Sequence, residues 1–119
     1  MLENAIAIIG VGYVGLPLAI GLANHHSDII AFDIDRGRIE ELDAGIDRND
    51  PLNLKKNWPK SLSFSYELDS IKIATTYIVT VPTPIDINRL PDLSVLENSC
   101  RKIAQVIEGL DPNYLLMQI

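Results

Sequence analysis

The stretch IAIIGVGYVGLPLAIGLANHHSDIIAFD, from Ile6 to Asp33, constrains the fold of this chain more than any other feature. A short apolar run is followed by the glycine pattern GVGYVG, an apolar segment at helical spacing, a second apolar run and an acid. This order is typical of a strand, turn, helix and strand that together bind a dinucleotide. The sequence therefore predicts an α/β domain of the Rossmann type, doubly wound, with a mainly parallel sheet and helices on both faces.

The three glycines and the acid each have a mechanical role in this interpretation. Gly10 allows a tight turn, Gly12 lets a pyrophosphate approach the backbone, and Gly15 lets the helix pack closely on the strand. The helix then directs its free N–H groups and the positive end of its dipole at the phosphates. Asp33 is expected to accept hydrogen bonds from the adenosine ribose and to repel a 2′-phosphate, which favours NAD over NADP. The alternative is a glycine-rich turn that binds nothing.

Size and charge limit the possible partners. We expect the 119 residues to form one dinucleotide-binding domain, 1–119. A net charge of −6 argues against nucleic acid and anionic membranes as partners, although helix N-termini and local cations can still hold an anionic cofactor. No apolar run reaches the ~18 residues of a membrane span. A single cysteine, Cys100, excludes an internal disulfide and fits a reducing cytoplasm.

The rest of the chain predicts the remaining elements of such a domain. Ile39 and Leu42 mark the inner face of a short helix, and Gly45 is its expected left-handed cap. Residues 47–60 are expected to form an irregular connection or one helical turn. The further predicted elements are strands at Leu62–Tyr66, Ala74–Val81 and Tyr114–Ile119, a helical turn at Glu67–Lys72, and a helix that ends at Gly109 and begins with a capping box at Ser94–Glu97.

Four residues that can carry chemistry are interpreted as structural. His25 and His26 follow the first helix without a Cys, Asp or Glu at ligand spacing, so a solvated helix end and no metal site are expected. Trp58 is expected to be a packing anchor. Cys100 belongs to the apolar stripe of the last helix, so we expect a buried, unreactive thiol.

Three more residues are candidates for contact with the cofactor. The carboxyl ends of parallel strands line the ligand crevice, so Thr83, in the segment VPTP, is expected beside the cofactor. Ile34 can lie against the adenine. Arg38 has two equally weighted interpretations, which are a contact with the ribose or phosphate and a surface ion pair with Glu41 or Glu40.

Taken together, the motifs resemble a known family. The motifs are GVGYVGLPLA, FDID with an arginine three residues on, DAGIDR in place of NAGIDR, VPTPID, and RLPDLS in place of RPDLS. They are similar to the N-terminal NAD-binding domain of the UDP-glucose/GDP-mannose dehydrogenases. The resemblance covers nearly the whole chain. Its VPTPID and PDLS elements are most similar to the branch that acts on UDP-N-acetylhexosamines.

The resemblance implies a function and a set of contacts. Members of the family oxidise the 6-hydroxyl of a nucleotide sugar to a carboxylate in two steps, with two NAD reduced, and their products usually feed polysaccharide synthesis. Gly12, Tyr13 and Val14 would offer backbone to the pyrophosphate. By the same resemblance, Asp33 and Arg38 would lie at the ribose and phosphate, and Thr83 would contact the nicotinamide side of NAD.

The sequence also departs from the family. After the last strand, the family pattern continues with a Glu-Ser-Thr segment, a long central helix, and a domain with the catalytic lysine, asparagine and cysteine. These parts are not found in this sequence, and Cys100 does not match the catalytic cysteine. We therefore expect a truncated cofactor domain with no catalytic residue, inactive alone, which needs the missing domains for a UDP-sugar and for homodimer formation. The alternatives are a regulatory NAD-sensing module and a degraded remnant that binds no cofactor.

Overall fold

The computed structural model describes residues 5–25, 28–106 and 116–118. This part of the chain alternates short strands and helices. The elements are β1 (Ile6–Ile9), α1 (Gly15–Ala23), β2 (Ile29–Phe32), α2 (Arg36–Asp43), β3 (Leu62–Ser65), a 3₁₀ turn (Leu68–Ile71), β4 (Thr76–Val79), α3 (Ser94–Val106) and β5 (Leu116–Gln118).

All the described strands belong to one parallel sheet, with the order β3-β2-β1-β4-β5. β1 is the central strand, and its residue Ile8 is paired with Ala31 of β2 on one side and with Ile78 of β4 on the other. Because the connection from β1 leads to β2 and the chain later crosses back to β4, the strand order reverses at β1. Open α/β sheets bind ligands at such a point, outside the carboxyl ends of the strands.

Successive residues of the strands face two different cores. On one face, Ile8 and Ala31 pack with α1 and α2, whose buried side chains include Leu16 and Leu42. On the other face the core is formed by side chains of the strands, the 3₁₀ turn and α3, among them Ala7, Ile9, Phe32, Tyr77, Val79, Ile71 and Ile103. The predicted Rossmann-type fold with helices on both faces is thus confirmed.

Local details agree with most of the sequence predictions. Gly45 has a φ of +81° and ends α2 in the left-handed conformation that was expected. Trp58 is a packing anchor as predicted, since its indole N–H donates to the Leu42 carbonyl at 2.6 Å and its ring lies edge-on to Phe64. The segment between α2 and β3 contains turns and no helix or strand, as expected.

Two predictions for α3 were wrong. The helix begins at Ser94, where the Glu97 N–H donates to the Leu93 carbonyl and Asp92 accepts the Ser94 N–H, so Ser94 is not the capping residue. Cys100 is only half-buried, because the stripe on which it lies turns partly away from the core that Ile103 enters. The predictions at His26, Gly109, Tyr114 and Ile119 lie outside the described residues.

Candidate dinucleotide site

A cleft of about 660 Å³ opens at the carboxyl ends of three neighbouring strands. It is lined by residues 10–14 after β1, residues 32–35 at the end of β2 and residues 80–83 after β4. Val95 and Ser99 of α3 also line it. The cleft therefore lies at the reversal point of the sheet, where the topology predicts a ligand.

The three glycines of the turn after β1 meet different surroundings. Gly10 has a φ of +97°, and a Cβ there would lie 3.0 Å from the backbone nitrogen of Val81. A Cβ on Gly15 would collide with the Gly10 carbonyl oxygen. A Cβ on Gly12 would have no atom within 4 Å, so this residue borders open space in the cleft. Gly10 and Gly15 thus serve the fold, whereas Gly12 leaves room for a ligand.

Asp33 is attached directly to the glycine turn. Its Oδ2 accepts the N–H of Val11 at 2.9 Å, and its Oδ1 accepts the N–H of Asp35 at 2.9 Å. The carboxylate is half-buried and lines the cleft together with Gly12. The turn and the acid, which the sequence predicts to act on one nucleotide, are therefore brought together.

Arg38 is buried, with only 4% of its surface exposed. Its Nε donates to the Val11 carbonyl at 2.8 Å, and its Nη1 donates to Asp47 at 2.8 Å. Its Nη2 is buried and has no hydrogen-bond partner among the described residues. Of the two interpretations of Arg38, the surface ion pair with Glu40 or Glu41 was wrong, because the segment after α2 folds back and brings Asp47 to the guanidinium.

The two glutamates form ion pairs with neighbouring arginines instead. Arg36 pairs with Glu40 at 2.8 Å, and Arg48 makes two bonds of 2.9 Å to Glu41. The hydrogen bond with Glu41 raises the pKa of Arg48. Arg48 also lies 3.5 Å from Asp35 and lines the cleft. The sequence did not reveal this position because Arg48 lies within an irregular segment.

Thr80 is a further residue that sequence reasoning missed. Its hydroxyl donates to the Gly10 carbonyl at 2.6 Å, and its backbone N–H donates to the Ile9 carbonyl at 2.7 Å. Thr80 is buried and lies at the end of β4, so it joins this strand to the glycine turn. A polar residue directly after a buried apolar strand was the available signal.

The remaining predicted site residues lie at the mouth of the cleft. Tyr13 and Val14 are exposed, Tyr13 to 79%, and Thr83 is exposed after β4. The backbone N–H groups of Gly12, Tyr13 and Val14 make no hydrogen bond with any described residue. The cleft-lining members of the predicted set are Gly10, Gly12, Tyr13, Val14, Asp33, Arg38 and Thr83. Gly15 is buried beneath the turn and does not line the cleft.

These features fit a dinucleotide. Free N–H groups next to a helix N-terminus, open space at Gly12 and a buried arginine nitrogen without a partner suit a pyrophosphate. Asp33 has two oxygens whose remaining lone pairs can accept ribose hydroxyls. Within residues 5–25 and 28–106, no three His, Cys, Asp or Glu side chains group as metal ligands would.

The fold and the cleft define a dinucleotide-binding domain of the Rossmann class. The chain belongs to the UDP-glucose/GDP-mannose dehydrogenase family, because the family model of its NAD binding domain matches residues 4–111. The resemblance given by the motifs is thus confirmed, and NAD is the cofactor of the matched domain.

Individual relatives agree with this assignment. The chain is 40% identical to the UDP-N-acetyl-D-glucosamine 6-dehydrogenase of Pseudomonas aeruginosa and 39% identical to that of Salmonella typhi, with 93% and 92% of the chain covered. A UDP-D-ManNAc dehydrogenase structure from Pyrococcus horikoshii superposes with a TM-score of 0.78 at 27% identity over 96% of the chain and 28% of that structure. The chain spans 26% of the length of the two curated relatives.

Proposed function

We propose that this chain is the NAD-binding domain of a nucleotide-sugar 6-dehydrogenase that oxidises a UDP-N-acetylhexosamine to the uronate for polysaccharide synthesis. The hydrogen bond between the Val11 N–H and Asp33 is the main support, because it holds the glycine turn and the acid side by side, as binding of one nucleotide by both would require. The two relatives are UDP-N-acetyl-D-glucosamine 6-dehydrogenases, and they suggest the substrate class.

Each site residue has a role in this proposal. The N–H groups of Gly12, Tyr13 and Val14 bind the pyrophosphate, since the described residues leave them free. Asp33 binds the adenosine ribose and excludes a 2′-phosphate by charge. Gly10 and Gly15 shape the turn.

Two residues lie farther along the cofactor. Arg38 directs its unpartnered Nη2 to the ribose or phosphate. Thr83, exposed at the cleft after β4, contacts the nicotinamide side. Bound NAD supplies the hydride acceptor, and the chain contributes binding and orientation.

The chain alone is proposed to bind NAD without oxidising a sugar. No cysteine, lysine or histidine is among the described residues that line the cleft, so the catalytic cysteine and lysine that the family resemblance implies are not supplied there. The full-length enzyme is proposed to supply these groups, to form a homodimer and to act in the cytoplasm. In the part of the chain that the structure describes, no helix has both the length and the apolarity to cross a membrane.

Calorimetry and a turnover assay test the proposal. Titration with NAD is expected to give saturable binding, with weaker or no binding of NADP. Incubation with NAD and UDP-N-acetylglucosamine is expected to give no sustained formation of NADH. Absence of heat with either nucleotide would support the alternative that the chain is a degraded remnant that binds no cofactor. Tighter binding of NADP would contradict the role of Asp33. Sustained turnover would contradict the proposed lack of activity.

A further inference from the structure

Val11 is the one residue of the glycine turn whose backbone groups are both held by charged side chains among the described residues. Asp33 accepts its N–H at 2.9 Å, and Arg38 donates to its carbonyl at 2.8 Å. Asp47 in turn accepts from Arg38 at 2.8 Å. We call Asp33, Arg38 and Asp47 the Val11 clamp.

The carbonyl of Val11 belongs to the same peptide group as the N–H of Gly12. Because a trans peptide is planar, with C=O and N–H pointing in opposite directions, a bond that fixes the carbonyl also fixes the direction of the N–H. The Arg38 bond to Val11 therefore orients the Gly12 N–H, which makes no hydrogen bond with the described residues and lies where the cleft is open.

Asp47 does not line the cleft, so it can affect a ligand only through its neighbours. Its side chain is 18% exposed and that of Arg38 is 5% exposed, so the pair is shielded from water. The same Oδ1 of Asp47 also accepts the N–H of Asn49 at 3.0 Å, and Asn49 does line the cleft. Asp47 thus connects the irregular segment after α2 to the glycine turn.

A contribution to stability alone explains this arrangement poorly. The desolvation free energy of two buried charges is often larger than the attraction between them. A guanidinium nitrogen without a hydrogen-bond partner, as in Arg38, destabilises the folded state further. If the pair instead orients a peptide group that binds a ligand, its contribution is to the free energy of binding. The free Nη2 of Arg38 is consistent with a ligand that completes the set of hydrogen bonds.

We propose that Asp47 is a positioning residue for dinucleotide binding, which holds Arg38 against the Val11 carbonyl and so sets the direction of the Gly12 N–H. This inference rests on the proposed function. Asp47 touches no part of the cofactor in this arrangement, and Arg38 is the group through which it acts.

The test uses Asp47→Asn and Asp47→Ala in the full chain, with Asp50→Asn as the matched control. Asp50 lies in the same segment, and its carboxylate, which is about as buried as that of Asp47, accepts a hydrogen bond from Lys56 at 2.6 Å. Neither Asp50 nor Lys56 lines the cleft. Asp47→Asn keeps an oxygen in place and lowers the risk that the variant fails to fold. Thermal melting compares the loss of stability in all three variants.

Two readouts are measured on each variant. In the NAD-free chain, the resonances of the Val11 carbonyl carbon and the Gly12 amide nitrogen are expected to shift in both Asp47 variants and to stay in place in Asp50→Asn. In calorimetry, the Kd for NAD is expected to rise about tenfold in Asp47→Ala, the effect of one charge-assisted hydrogen bond, and less in Asp47→Asn. Asp50→Asn is expected to leave the Kd unchanged.

Several outcomes would overturn the inference. Unmoved Gly12 and Val11 resonances in both Asp47 variants would show that the clamp does not hold the turn. An NAD Kd that is unchanged in the Asp47 variants, or equally raised in Asp50→Asn, would reduce Asp47 to a structural residue. If the wild-type chain binds no NAD, the proposed function itself is wrong, and the resonances still decide whether Asp47 holds the turn.

Discussion

The Oδ2 atom of Asp33 lies 2.9 Å from the backbone nitrogen of Val11, so the acid at the end of β2 is part of the turn at the end of β1. Its other oxygen accepts the N–H of Asp35, which fixes the start of the segment toward α2. The carboxylate is therefore already held in position for the contact with a ribose that we propose. Preorganisation of this kind lowers the cost of binding, because no side chain has to be ordered at that moment.

Asp33→Asn is expected to weaken NAD binding about tenfold and to narrow the preference for NAD over NADP. The amide cannot accept hydrogen bonds at both ends, and it no longer repels a 2′-phosphate. Calorimetric Kd values for the two nucleotides measure both effects. The control is Asp69→Asn, which removes an exposed carboxylate paired with Lys72. An unchanged Kd for NAD would contradict the role of Asp33.

Gly12→Ala is expected to leave stability nearly unchanged and to raise the Kd for NAD at least about tenfold. A Cβ at this position meets nothing within 4 Å in the protein, but it occupies the space that the pyrophosphate needs. Thermal melting and calorimetry separate the two effects. A variant that binds NAD as well as wild type would show that the pyrophosphate does not approach this residue.

Gly15→Ala is expected to destabilise the domain by about 3 kcal/mol or more, because its Cβ would collide with the Gly10 carbonyl and force α1 off the sheet. Gly21→Ala, in the same helix, is the control. A Cβ there meets nothing within 4 Å, so this change is expected to stabilise by about 0.5–1 kcal/mol. Urea denaturation gives both values, and a stable Gly15→Ala variant would contradict the close packing.

Thr80→Val is expected to cost about 1–3 kcal/mol, because it leaves the buried Gly10 carbonyl without the hydroxyl that donates to it at 2.6 Å. Thr76→Val, at the start of β4, removes a hydroxyl that makes no hydrogen bond with the described residues. Thermal unfolding of both variants gives the comparison. Equal losses of stability in the two variants would mean that the Thr80 hydroxyl does not stabilise the turn.

The ion pair of Asp50 with Lys56 is expected to contribute stability only above acidic pH. The hydrogen bond from Lys56, followed by that from the Leu52 N–H, lowers the pKa of Asp50 below its ordinary 3.8. A lowered pKa in the folded state means that the contribution is present above the unfolded value and is lost as the pH falls through the folded one. Asp50→Asn should therefore lower the Tm at neutral pH and have a smaller effect at about pH 2. An equal effect at both pH values would contradict this assignment.

The turn after β1 could be predicted from the sequence because its requirements are local. Gly10, Gly12 and Gly15 follow one apolar run, and Asp33 ends the next, so chain order alone predicts that the glycine turn and the acid lie next to each other. The parallel sheet brings Thr83 to the same cleft by topology. For these residues, chain order and the carboxyl ends of the strands were sufficient.

The partner of Arg38 could not be predicted in this way. Sequence proximity pointed to Glu40 and Glu41, whereas the actual partner is Asp47, whose position depends on the path of an irregular segment. Periodicity gives no information about such a path. For the same reason the sequence did not reveal Arg48 at the cleft.

The position of β1 at the centre of the sheet has a consequence during synthesis. Of the described strands, β1 leaves the ribosome first. It needs neighbours on both sides, and the second of these is β4, whose pairing joins Ile6 to Thr76. Until Val79 has emerged, a nascent chain with β1, β2 and β3 already paired still presents an open apolar edge. Chaperone contact with the growing polypeptide is therefore expected to be strongest in that interval and to fall once β4 docks.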